Sequence, residues 1–152
     1  MQQVQAPIFG SELTVELAKL AIKDQHALED YDDYHVVNEK TEIDFGQVTV
    51  SFFNTTHSIP ESLGIVLATP YGQVVYTGDF KFDQTANSYY STDIARLVEI
   101  GQGKVLALLA DAAGTGNELN SVNESKISEY ILETFRENNK KRIIVALSLI
   151  HI

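Results

Sequence analysis

Between Val48 and Asp83 the chain reads VTVSFFNTTHSIPESLGIVLATPYGQVVYTGDFKFD, and this stretch limits the fold more than any other. Val48–Phe53 alternates apolar with small polar side chains, the two-residue period of a strand with one buried face. Leu63–Thr69 and Gln73–Thr77 are apolar and β-branched, and Pro70-Tyr71-Gly72 joins them. Proline presets φ at the first corner of a turn and glycine accepts positive φ, so the two runs form a hairpin. Three strands in close succession leave His57 in the loop after the first and Asp79 just beyond the third, behind Gly78. Loops at strand ends are where a rigid sheet presents chemistry.

The flanks add helices and further strands. Ser11 is a candidate N-cap, and Leu13, Leu17, Leu20 and Ala21 follow at helical spacing, which predicts a helix ending near Gln25. Glu29–Asp33 reads as an acidic surface loop, and Tyr34–Val37 and Thr41–Asp44 as short strands, the second closed by Gly46. After the central block comes a polar loop, Thr85–Ser91. A helix is then expected over Asp93–Ile100, with Ile94, Leu97 and Val98 inward and Gly101 as its C-cap. Val105–Ala110 is an unbroken apolar run, the pattern of a strand covered on both faces, and it stops at Asp111. The Gly-rich Ala112–Leu119 marks a domain boundary. Ser121-Val122-Asn123-Glu124 fits a capping box, predicting a helix to Phe135 with Ile127, Ile131 and Phe135 on one face. Lys140–Arg142 then lead to a strand at Ile143–Leu147. Strands first, then helix alternating with buried strand, is the order of an α/β fold. No internal repeat or low-complexity segment interrupts it.

Composition removes several function classes. The 152 residues suffice for one domain with a sizeable core. They include no cysteine, which excludes a disulfide framework, thiolate-bound zinc and a thiol nucleophile. No apolar run approaches the ~20 residues of a membrane span, and no basic stretch leads into an apolar one at the N-terminus. The sequence therefore reads as soluble and cytoplasmic. A net charge of −10 argues at first against nucleic acid. Its distribution is uneven: residues 1–47 carry three basic and ten acidic groups, or −7, and residues 48–152 carry eight and eleven, or −3. Most of the acidity thus belongs to one peripheral, solvated segment. Neither part shows a basic track for RNA, and bound divalent ions would offset some charge near a site.

Thr55-Thr56-His57-Ser58-Ile59-Pro60-Glu61-Ser62 and Tyr76-Thr77-Gly78-Asp79-Phe80-Lys81-Phe82-Asp83 resemble two adjacent motifs of ribonuclease J. That family comprises bacterial RNA-degrading enzymes of the metallo-β-lactamase fold, in its β-CASP branch. The likeness is ungapped from Val48 to Asp83 and looser outside it. Ala6-Pro7-Ile8-Phe9-Gly10 is similar to the segment that opens a helix after the family's main metal motif, and Asn123–Val145 to the start of the inserted β-CASP domain. The resemblance implies a partial metallo-β-lactamase sandwich (αββα) over residues 1–113, running into the start of a β-CASP domain over 114–152. It implies two zinc ions per site, with Mn2+ or Mg2+ as alternatives, His57 binding one ion and Asp79 bridging both.

Asp111 matches an acidic residue that helps to organise the family's catalytic site. The family's Ser-Asp-Ser-Thr-Asn, however, is here Ala110-Asp111-Ala112-Ala113-Gly114, without the hydroxyl-bearing neighbours. That departure favours a non-catalytic paralogue that partners an active subunit; the resemblance itself extends to the family's weakly active paralogue. The implied catalytic set is His57, Asp79 and Asp111. The implied substrate is RNA, cut internally and processively from the 5′ end, by subunits that form homo-oligomers or pair with a paralogous subunit. The chain is expected to be an excised piece that starts after the family's His-x-His-x-Asp-His motif. Its last residues, Ser148–Ile152, depart from the family pattern.

Each of these residues also has an ordinary reading. A lone loop histidine is commonly a solvated side chain, and Asp79 or Asp111 could simply cap a turn. Ligation is supported by chemistry: neutral imidazole is the commonest protein ligand for zinc, and one carboxylate can span two metals about 3.5–4 Å apart. If both residues serve one centre, their side chains should lie within roughly 8 Å at the same edge of the sheet. Asp83 is expected to bond backbone rather than metal. Ser58 and Thr56 are expected to close the loop, because no second histidine lies nearby in sequence to activate them. His26 and His35 read as surface residues, and His151 falls in the divergent tail. Two other function classes stay open. One is a non-catalytic paralogue that partners an active ribonuclease. The other is an α/β nucleotide-binding module using Gly114-Thr115-Gly116, which lacks the third glycine and a helix directly behind it.

Overall fold

Alternating and β-branched side chains suit a pleated, half-buried surface, and they set the frame of the molecule. A computed structural model describes residues 6–24, 31–83, 85, 90–113, 115 and 123–145. In chain order its elements are β1 (Ile8–Gly10), α1 (Glu12–Asp24), β2 (Tyr34–Val36), β3 (Glu42–Asp44), β4 (Thr49–Asn54), β5 (Leu63–Thr69), β6 (Gly72–Tyr76), α2 (Ile94–Gln102), β7 (Val105–Leu109) and α3 (Glu124–Glu137). The fold is mixed α/β. The chain divides into two compact units, Met1–Asn117 and Glu118–Ile152, and α3 belongs to the second. No helix among the described residues is long and apolar enough to cross a membrane.

The first unit holds two sheets. β1 and β2 pair in parallel, and α1 lies against both, with Val15 and Val37 buried. The larger sheet has the order β3-β4-β5-β6-β7. Its neighbours are antiparallel from β3 to β6, and β6 pairs with β7 in parallel. β4, β6 and β7 therefore run in one direction, and their C-terminal ends share one end of the sheet. The hairpin forms as the turn residues require: Thr69 pairs with Gly72, leaving Pro70 and Tyr71 as the two-residue connection. A parallel pair cannot be joined by a tight turn and needs a crossover, which α2 supplies between β6 and β7. Phe53, Val66, Val75 and Ile100 form the buried cluster between sheet and helix, with Leu97 against it. Gly64 makes room for that cluster. It is the register partner of Phe53, and a Cβ at position 64 would stand 2.1 Å from the Phe53 ring.

Several expected details differ. α2 passes through Gly101 and ends at Gln102, with Gly103 as C-cap at φ −77°. That cap needs no left-handed residue, so the nearer glycine carried no stop signal. Ile94 and Val98 are exposed and Ile100 is buried, because the stripe facing the sheet runs through Leu97 and Ile100. β7 was expected to be covered on both faces, yet every residue of it is exposed, Leu108 to 63 %. Its apolar run records what the strand is suited to pack against. α3 starts at Glu124 with Asn123 as N-cap and without a side-chain cap bond. Glu124 is thus the first helical residue instead of the third, and the capping-box reading fails. Ile127, Ile131 and Phe135 of α3 are exposed. Ile143–Val145 belongs to no strand. Ser121, His26, Gly114, Gly116 and residues 146–152, including His151, lie outside the described residues.

Two consequences can be measured. Gly64→Ala should destabilise residues 1–152 by about 1–3 kcal/mol through overpacking against Phe53, read as a lower urea midpoint. Adding Phe53→Leu should recover part of that loss, since the two side chains occupy the same space. The exposed Leu106, Leu108 and Leu109 should make the isolated chain self-associate, seen as a concentration-dependent sedimentation coefficient. Leu106→Lys with Leu108→Lys should suppress that dependence.

Candidate functional site

His57 leaves the sheet directly after β4, in a loop fastened at several points. Thr55 N–H donates to the Ser62 carbonyl at 2.9 Å, and Thr55 Oγ1 donates to Ser62 Oγ at 3.0 Å, closing the loop at its base. Thr56 is fully buried; its N–H donates to Thr92 Oγ1 at 2.9 Å and its carbonyl accepts the Lys81 N–H at 2.9 Å. At the far side of the loop Glu61 has φ +60°, a left-handed conformation costing a non-glycine residue about 1–2 kcal/mol. Its Oε2 accepts the N–H of Leu13, in the first turn of α1, at 3.1 Å. A carboxylate is favourable there because the helix N-terminus has unpaired donors and a partial positive charge. Ser11 Oγ accepts the neighbouring Thr14 N–H at 3.3 Å, as its N-cap position predicts.

Asp79 follows β6 after a sharp turn at Gly78, whose φ of +62° favours glycine. Thr77, buried just before that turn, joins it to the end of β7. Its N–H donates to the Leu109 carbonyl at 3.0 Å, and its Oγ1 accepts the Asp111 N–H at 3.2 Å while donating to the Gly78 carbonyl at 2.7 Å. His57, Asp79 and Asp111 thus follow the C-terminal ends of β4, β6 and β7, all at one end of the sheet. His57 Nε2 stands 3.7 Å from Asp79 Oδ2, with the histidine side chain 27 % and the aspartate 67 % exposed. Asp111 Oδ1 accepts the Ala113 N–H at 2.8 Å, the ordinary turn-closing role weighed for it above.

The His57–Asp79 spacing suits a shared cation. Tetrahedral zinc with bonds of about 2.0–2.2 Å holds adjacent donors about 3.4 Å apart, so 3.7 Å places both side chains within reach of one ion. A catalytic zinc usually takes three protein ligands, and no group of three or more His, Cys, Asp or Glu able to hold a metal occurs among the described residues. The pair therefore fits as part of a ligand set. His35 has other partners: Asp33 Oδ1 lies 2.8 Å from its Nε2, and Phe9 stacks on its ring at 4.7 Å. The buried Asp83 accepts from Thr85 N–H at 2.9 Å and Thr85 Oγ1 at 2.7 Å, with Lys81 Nζ 3.8 Å away, so it shapes its own turn. Sequence reasoning passed over Glu61, Thr77 and Thr92. Their partners are 48, 34 and 36 residues away, and no local pattern encodes such bonds.

No family model matches the chain. Among curated proteins it is 47% identical to the ribonuclease J 2 of Streptococcus pyogenes serotype M3 over 148 residues, 97% of this chain and 27% of that protein. This sequence belongs to the ribonuclease J family. It is also 40% identical over 146 residues to the ribonuclease J 2 of Staphylococcus epidermidis, and 38% identical over 144 residues to that of Staphylococcus aureus. The chain spans about a quarter of the length of the ribonuclease J proteins it matches. A solved structure, that of a protein of unknown function from Enterococcus faecalis V583, aligns with 88% of this chain and 34% of its own at a TM-score of 0.65. At 14% identity that likeness bears on the fold alone.

The long-range cap can be tested by itself. Glu61→Ala should destabilise residues 1–152 by about 1 kcal/mol in urea denaturation, because the Leu13 N–H loses its acceptor. An unchanged midpoint would show that the bond does not hold the His57 loop to α1.

Proposed function

We propose that these residues supply part of the metal-dependent, RNA-hydrolysing centre of a ribonuclease J. The observation that carries this reading is the 3.7 Å approach of His57 and Asp79 from two separate loops at one sheet end, in a sequence with ribonuclease J relatives. The five-stranded sheet is then one layer of a metallo-β-lactamase sandwich formed by residues 1–113, and residues 114–152 begin a β-CASP domain. His57 would hold one ion through an imidazole nitrogen. Asp79 offers two carboxylate oxygens that can serve two ions, zinc foremost, with Mn2+ or Mg2+ as alternatives. When bound, such ions lower the pKa of water and offset the charge that builds on a phosphodiester. The main chain at Asp111 is tied to the Asp79 turn through Thr77, which both turns share, and its carboxylate would help to organise the site from there. The substrate is RNA, cut internally and from the 5′ end in cytoplasmic RNA maturation and decay. With a net charge of −10, this sequence leaves most of the phosphate contacts to the rest of the enzyme or to a second subunit.

The test is made on a full-length ribonuclease J carrying this sequence, with 5′-monophosphorylated RNA and Mn2+. His57→Ala and Asp79→Ala should each lower cleavage by ~10²-fold or more, the scale of losing an activated and positioned nucleophile. Residues 1–152 alone should leave the same RNA intact, since two ligands hold an ion weakly and position no water. Cleavage by the isolated residues that disappears on His57→Ala would overturn the expected division of the site.

A further inference from the structure

The two loops that present His57 and Asp79 meet at one hydroxyl. Thr92, in the stretch leading into α2, accepts the Thr56 N–H at 2.9 Å and lies 3.0 Å from Thr56 Oγ1. It also lies 3.5 Å from the Lys81 carbonyl, a contact longer than the ~2.5–3.0 Å usual for an O–H···O bond. Thr56 directly precedes His57, and Lys81 is two residues past Asp79. Thr56 and Lys81 are themselves joined in an isolated antiparallel bridge, through the Lys81 N–H and the Thr56 carbonyl. The next residue, Asp93, donates its N–H to the Asn54 carbonyl at the end of β4, at 3.1 Å, and its side chain caps α2 through the Arg96 N–H. α2 in turn is anchored in the core by Ile100.

A threonine hydroxyl has one proton and two lone pairs, and here they are directed at groups on both loops. Thr56 is fully buried, so water does not reach it to replace the bond. We propose that Thr92 is a positioning residue that sets the spacing of the His57–Asp79 pair by pinning both loops to the start of α2. The inference rests on reading that pair as metal ligands. Thr92 acts through backbone neighbours of the two side chains, and groups standing behind ligands typically change metal affinity 10–100-fold.

The experiment uses a full-length ribonuclease J carrying this sequence and titrates Mn2+ alone, followed by loss of the free-ion EPR signal. Thr92→Val should weaken binding ~10-fold at the site that His57→Ala removes. Exchange of the Thr56 and Lys81 amide protons should accelerate while Val66 and Val75 stay protected. Thr92→Ser, which keeps the hydroxyl, should restore both. Mn2+ affinity unchanged in Thr92→Val, or equally weak in Thr92→Ser, overturns the inference and leaves the metal reading standing. Mn2+ binding that survives both His57→Ala and Asp79→Ala overturns the metal reading and this inference with it. If Thr92→Val melts below the assay temperature, Thr92→Ala decides instead: full affinity refutes the role and ~10-fold weaker binding upholds it.

Discussion

The ladder between Gln73–Tyr76 and Val105–Leu109 is parallel, and a parallel pair constrains everything around it. It demands a crossover long enough to return the chain to the starting end of the sheet. The segment that makes this return carries Thr92 and the helix Ile94–Gln102, whose Ile100 closes the core over Phe53, Val66 and Val75. Together with the antiparallel ladders that carry the chain from Thr49–Asn54 to Gly72–Tyr76, it aligns three strand ends, so residues that are 22 and 32 positions apart in sequence come to one end of the sheet. His57, Asp79 and Asp111 are thereby gathered without any of them being a sequence neighbour of another. The fold and the site share one cause.

Burial and function pull in different directions at that end of the sheet. Thr55, Thr56 and Thr77 are buried hydroxyl residues, and each has a hydrogen-bond partner. A buried polar group without a partner would cost about 1–3 kcal/mol, so such residues are tolerated only where the backbone offers partners. The strand ends offer them, because the ladder has stopped and its carbonyls and amides need satisfying. The result is two loops held by interior hydrogen bonds while their ligand-type side chains remain in reach of solvent. A left-handed Glu61 adds strain to this arrangement and a bond from Leu13 offsets part of it.

The opposite situation holds at β7 and along α3, where large apolar side chains are exposed on described residues. β7 has backbone partners on one side only, at the limit of the sheet order. Such a strand is prone to pair or pack with another surface. Net negative charge opposes indiscriminate association, yet the acidic groups concentrate in residues 1–47, away from Val105–Leu109 in sequence.

The sequence by itself determined the local elements whose signals are local. Strand Leu63–Thr69 was legible to the residue, and the hairpin at Pro70-Tyr71, the helix behind Ser11 and the loop positions of His57 and Asp79 were legible nearly as well. Period-two hydrophobicity, turn residues and a capping serine act over a few residues, so they can be read in order. The motif around His57 and Asp79 likewise sufficed for the family. Tertiary structure alone decided the rest. It chose which face of α2 is inward, because that depends on the direction from which the sheet approaches. It left β7 exposed, because an apolar run specifies an affinity for cover and not the cover itself. Above all it set the bonds of Glu61, Thr77 and Thr92, which span 48, 34 and 36 residues. A hydrogen bond requires two groups at about 3 Å, and only the folded chain fixes the distance between residues so far apart along it.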